Sequence, residues 1–111
     1  MKILVTGAAG FIGYFTAKIL TEKGHTVVGL DNINDYYDVN LKYGRLQELG
    51  IAKTDAEPFN SLCKSKSSNF SFIRMNLEDR ENLPELFEAE QFDIVCNLAA
   101  QAGVRYSLEN P

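Results

Sequence analysis

Apolar residues along the chain come in short runs broken by polar turns. Lys2 to Thr6 is aliphatic and β-branched without alternation, the pattern of a strand covered on both faces. Phe11 to Lys23 places Phe11, Ile12, Phe15, Ile19 and Leu20 at helical spacing, and Gly24 follows where a helix takes its C′ residue. Thr26-Val27-Val28-Gly29-Leu30 is a second strand run, closed by Asp31. Leu41, Leu46 and Leu49 predict a helix that Gly50 ends. Residues 51–69 are polar and rich in Ser and Lys, which predicts a surface excursion with one helical turn around Pro58 to Lys64. Phe70 to Arg74 alternates as a third strand, and Asp93 to Leu98 is a fourth, running into Ala99-Ala100. Between them Asp79 to Glu90 reads as a helix. Its acidic residues Asp79 and Glu81 lie near the positive end, and Leu83, Leu86 and Phe87 share one face.

Gly7, Gly10 and Gly13 stand three apart on the turn between the first strand and the first helix. At such a turn the first N–H groups of the helix have no internal partner and, with the helix dipole, attract an anion. Gly7 serves the tight turn, Gly10 lets a pyrophosphate approach the backbone, and Gly13 lets helix and strand pack closely. A P-loop is excluded because no Gly-Lys-Ser/Thr opens the helix. Asp31 stands at the end of the second strand, where a carboxylate accepts from ribose hydroxyls and repels the 2′-phosphate of NADP. With no arginine following Asp31 to take up that phosphate, the expected cofactor is NAD.

Strands alternating with helices and joined by right-handed crossovers give an α/β fold, a Rossmann-like doubly wound parallel sheet. The expected order is 3-2-1-4. Residues 1–111 are expected to be the N-terminal part of an NAD-binding domain with an insertion at about 34–69, truncated after about four strands. The fourth strand then has an unpaired edge, from which marginal stability or self-association is expected.

The 111 residues are 45% hydrophobic and 23% charged, an ordinary globular composition. A net charge of −4 argues against nucleic-acid and anionic-membrane partners. No apolar run approaches a membrane span, and the first strand leaves no room for a signal peptide, so the expected compartment is the cytoplasm. Cys63 and Cys96 lack a CxxC or a nearby histidine and read as free thiols, Cys96 in the core and Cys63 partly exposed. His25, on the loop entering the second strand, receives no chemistry, and no metal site is expected.

The run Thr6 to Gly13, with Asp31 and the strand end Asn97-Leu98-Ala99-Ala100, resembles the extended short-chain dehydrogenase/reductase family. A narrower signal joins Asn32 to Asp38, Leu41-Lys42 and Arg45-Leu46 to the stretch Ala99 to Ser107. It is similar to the nucleotide-sugar 4-epimerases acting on UDP-glucuronate. The resemblance implies that Phe11 and Ile12 offer backbone N–H groups to the pyrophosphate, that Asp31 and Asn32 hold the adenosine ribose, and that Asn76 and Leu77 contact adenine. It further implies that Leu98, Ala99, Ala100 and Gln101 line the cofactor, and that Arg105 faces the phosphates or uronate carboxylate of a sugar-nucleotide substrate. Two positions depart from the family pattern. Asn76 stands where aspartate is usual, which keeps an acceptor for the adenine amino group but removes its charge. Asn97 stands where histidine is more frequent.

In the enzymes resembled, C4 of the sugar is oxidised and reduced again on the opposite face, with NAD as hydride carrier and a tyrosine of a YxxxK motif as base. Tyr14 and Lys18 meet that spacing on the first helix, away from the cofactor, so no catalytic residue is expected within residues 1–111 and the chain alone is expected to be inactive. A nucleotide-sugar dehydratase or decarboxylase, and a non-catalytic nucleotide-binding module, are the alternative readings.

Overall fold

The computed structural model describes residues 1–33 and 39–98. Its elements are β1 (Lys2–Thr6), α1 (Phe11–Glu22), β2 (Thr26–Asp31), α2 (Val39–Glu48), α3 (Lys53–Ala56), β3 (Cys63–Lys64), β4 (Phe70–Arg74), α4 (Asn82–Glu90) and β5 (Ile94–Asn97). The sheet order is β3-β4-β2-β1-β5. Parallel pairing joins β4 to β2, β2 to β1 and β1 to β5, which is the expected 3-2-1-4 arrangement. The difference is β3, a two-residue strand added antiparallel to the outer edge of β4 through Cys63↔Phe72 and Lys64↔Ser71.

Each face of the sheet carries its own core. Ile3, Val5, Val27, Phe70 and Phe72 point to the side covered by α1, α2 and α3, where they meet Ala17, Leu46, Leu49 and Ala56. Leu4, Val28, Leu30 and Ile73 point to the other side and meet Leu86 of α4. Burial on both sides is why β1 and β2 read as unbroken aliphatic runs.

Five expectations are corrected. Most of the apolar residues expected to share a face of α1 do not pack: Phe11, Ile12, Phe15 and Ile19 are exposed, Leu20 alone of the five lies partly buried against the core, and the buried residues of the helix are Gly13 and Ala17. A Cβ on Gly13 would stand 2.0 Å from the Gly7 carbonyl oxygen, so approach this close requires small residues, while Tyr14 and Leu20 pack partly buried against the same core. The helical turn in the excursion is at Lys53–Ala56 rather than around Pro58 to Lys64, where β3 forms instead. Regular α4 starts at Asn82, yet Asp79 Oδ1 accepts the N–H groups of Glu81 (3.1 Å) and Asn82 (2.9 Å), so this side chain caps the turn leading into it. The last strand ends at Asn97, and Cys96 is half-buried rather than fully within the core. Gly24, at φ +92°, follows the C-terminus of α1 as expected.

Candidate functional site

The parallel strands bring the Gly-rich turn after β1, Asp31 and Asn32 at the end of β2, Asn76 and Leu77 after β4, and Leu98 after β5 to one edge of the sheet, at their carboxyl ends. Ligands of open α/β sheets bind at that edge, where the strand order reverses across β1.

Gly7 adopts φ +73°, and its N–H donates to the Leu30 carbonyl at 2.8 Å, so the turn folds back onto the end of β2. Gly10 N–H then donates to the Gly7 carbonyl at 3.0 Å. Gly10 is the N-cap of α1, and its carbonyl takes the helical bond from Tyr14 N–H at 2.9 Å. The N–H groups of Phe11, Ile12 and Gly13 precede that first intrahelical bond and belong to the anion-attracting end of the helix.

Asp31 is 93% removed from solvent and ties two backbone segments together. Oδ2 accepts the Ala9 N–H at 3.1 Å, and Oδ1 accepts the Ile33 N–H at 2.8 Å. Ile33 sits at φ +50°, a left-handed conformation that costs a β-branched residue about 1–2 kcal/mol. Arg74 holds the same segment from β4, donating from Nε to the Asn32 carbonyl at 2.8 Å and from Nη1 to the Glu57 carbonyl at 2.8 Å. Its guanidinium lies over the Phe59 ring, 4.2 Å from the centroid. Asn32 is thus placed by its backbone, between a carboxylate and a guanidinium.

Sequence reasoning missed the part played by α2. Lys42 Nζ lies 3.7 Å from Asp31 Oδ1, and Arg45 donates from Nη1 to the Ala9 carbonyl at 3.0 Å. Cations therefore do return to the Gly-rich turn from beyond Asp31, Lys42 to the Asp31 carboxylate and Arg45 to the Ala9 carbonyl. The available signal was their three-residue spacing, which places both on one side of a helix. Asn76 is exposed and its carbonyl accepts the Asp79 N–H at 3.1 Å, while Leu77 packs on the α4-side core. The Thr6 hydroxyl joins β1 to the end of β5, donating to Asn97 Oδ1 at 2.5 Å and accepting the Leu98 N–H at 3.0 Å. Ala99, Ala100, Gln101 and Arg105 lie outside the described residues, as do 34–38 of the narrower motif.

Cys63 has no activated thiol. Burial pushes its pKa up, Asp55 adds to this, and its Sγ donates to the Phe72 carbonyl at 3.3 Å. Among the described residues no cluster of three or more His, Cys, Asp or Glu could hold a metal ion, and no helix is long and apolar enough to cross a membrane.

The family described as GDP-mannose 4,6 dehydratase matches residues 4–111. The chain belongs to that family. This member of the GDP-mannose 4,6 dehydratase family is 49% identical over 111 residues to Protein CapI of Staphylococcus aureus, a match covering 100% of the chain and 28% of the relative. It is 44% identical over 108 residues to UDP-glucuronate 4-epimerase of Thermodesulfobacterium geofontis, covering 97% of the chain and 29% of the relative. Among solved structures it is similar to a mutant UDP-glucuronic acid 4-epimerase from Bacillus cereus in complex with UDP-4-deoxy-4-fluoro-glucuronic acid and NAD. That similarity has a TM-score of 0.68 and 34% identity, and covers 94% of this chain and 28% of the other. The chain spans about 28% of the length of the first of these relatives.

Proposed function

We propose that the chain is the NAD-binding portion of a nucleotide-sugar 4-epimerase of the UDP-glucuronate to UDP-galacturonate type. The observation that carries this reading is the bond from Ala9 N–H to Asp31 Oδ2. It joins the phosphate-facing turn and the ribose-facing carboxylate into one surface, in a chain with relatives that include UDP-glucuronate 4-epimerases. In this reading residues 1–111 belong to one nucleotide-binding domain, with 34–69 as its insertion.

The residues fit the group. Phe11 and Ile12 N–H groups receive the pyrophosphate, with Gly7, Gly10 and Gly13 allowing the approach. Each carboxylate oxygen has two acceptor positions, so Asp31 Oδ2 keeps one for a ribose hydroxyl after binding Ala9. Asn32 completes that subsite, and Asn76 and Leu77 flank the adenine. Leu98, Ala99, Ala100 and Gln101 line the crossing between the nucleotide halves, and Arg105 faces the sugar nucleotide. NAD, when bound, supplies reversible hydride acceptance at C4 of the sugar. The described residues bind and orient, and the proton-transferring tyrosine comes from outside residues 1–111. The buried Asp31 carboxylate disfavours a 2′-phosphate, and Lys42 and Arg45 do not reverse this because Asp31 and the Ala9 carbonyl already engage them.

Calorimetric titration with NAD, ADP and NADP tests the reading. NAD and ADP are expected to bind comparably and NADP at least roughly tenfold more weakly, and Asp31→Ala is expected to lose roughly tenfold in NAD affinity. A chain that is folded by circular dichroism and binds none of the three sinks the proposal.

A further inference from the structure

Arg45 makes a contact that lies outside both the ribose and the phosphate subsites. Its Nη1 donates to the Ala9 carbonyl at 3.0 Å, and its guanidinium carbon lies 6.0 Å from the centroid of the Phe11 ring. The N–H of the same residue, Ala9, donates to Asp31 Oδ2 at 3.1 Å. Both polar backbone groups of Ala9 are therefore held, one from the end of β2 and one from α2. The Ala9 carbonyl and the Gly10 N–H belong to one planar peptide unit, so the direction of the first fixes the direction of the second. That N–H points back to the Gly7 carbonyl and closes the turn. Gly10 has no side chain to restrain it, and its φ of −78° and ψ of 171° are set by its surroundings.

We propose that Arg45 is a positioning residue for the pyrophosphate turn. It holds the Ala9–Gly10 peptide plane and so aims the N-terminus of α1, without entering the ribose subsite. The inference rests on the nucleotide reading above. It gives the inserted helix a purpose: α2 braces the turn from outside, with Lys42 on the carboxylate and Arg45 on the peptide. A planar guanidinium can donate to a carbonyl while lying against the Phe11 ring, which an ammonium does less well.

The test is a fragment ladder. Adenosine samples the ribose and base subsites, and ADP adds the pyrophosphate. Affinities for both are measured by ligand-observed NMR on the wild-type chain, Arg45→Met, Arg45→Lys and Lys42→Met. Arg45→Met is expected to lose roughly tenfold in ADP affinity with adenosine affinity unchanged, and Arg45→Lys to recover part of the loss. Lys42→Met is expected to weaken both ligands, which shows that the ladder registers a ribose-side defect. The Arg45→Met loss is expected to persist in high salt, where long-range attraction between charges is screened. If Arg45→Met fails to fold in a circular dichroism melt, Arg45→Gln, which keeps a neutral donor, carries the same comparison. Equal losses for adenosine and ADP, no loss for ADP, or a loss that vanishes in salt overturns the positioning role. A folded wild-type chain that binds neither ligand overturns the nucleotide reading and this inference together.

Discussion

Leu4 and Val95 are register partners on neighbouring parallel strands and share one face of the sheet. Leu4 is 0% exposed and Val95 is 44% exposed. Both are aliphatic and both belong to apolar runs, so the difference comes from their places in the sheet. Leu4 has β2 on one side, β5 on the other and the Leu86 cluster above it, whereas β5 forms the edge of the described sheet. The strands β1, β2 and β4 are buried, whereas β5 leaves its apolar residues open. The candidate site straddles the two, with its glycines and Asp31 at the buried strands and Leu98 at the open one.

The comparison is broken most severely at the point of closest packing. Gly13→Ala forces a Cβ against the Gly7 backbone and is expected to cost about 3 kcal/mol, measured by denaturant unfolding. A variant as stable as wild type would mean that the turn can shift away from α1. The comparison itself is measured by Leu4→Ala against Val95→Ala. The first is expected to lose about 3 kcal/mol and the second at most about 0.5 kcal/mol. Equal losses would mean that the β5 edge is covered in solution. Self-association through that edge is the cover expected, and Val95→Lys is expected to shift the sedimentation profile toward monomer at high concentration. A wild-type chain that is monomeric at every concentration tested would remove this explanation.

The smallest expected effect is at Asp79. The Asn82 backbone N–H, followed by the Asn82 side-chain amide, holds this carboxyl below its ordinary pKa of 3.8. A carboxyl lowered in the native state stabilises fully above its unfolded pKa, and that contribution is lost as the pH falls through the lowered native value. Asp79→Asn is therefore expected to lower the melting midpoint slightly near neutral pH, with the gap to wild type closing below pH 3.8. A gap that stays constant in acid would mean that the carboxylate charge plays no part in the cap.

The strands and the Gly-rich turn were legible in the sequence because the forces behind them leave local marks. A strand buried on two faces must be aliphatic throughout, and a turn under a helix end must dispense with Cβ atoms. What sequence reasoning missed depends on distant pieces meeting. β3 is too short to show periodicity, and it exists because β4 offers a free edge. The packing face of α1 was hidden because the tightest contact is made by Gly13 and Ala17, which a search for large apolar residues passes over. Of the candidate site, the glycines and Asp31 could be read from spacing. The grip of Arg45 on Ala9 and of Arg74 on Asn32 joins residues 36 and 42 positions apart, so a helical spacing can show that Lys42 and Arg45 share a side but not what they reach.

The pairing of β1 with β5 also has a consequence in time. Lys2 meets Asp93 across 91 residues of chain, so the first strand to leave the ribosome gains its second neighbour only when the last described strand follows. At ordinary rates of synthesis that interval is on the order of ten seconds. Throughout it, one flank of β1 stays open to any extended segment nearby, so for this chain the period of greatest exposure to mispairing falls during its own translation.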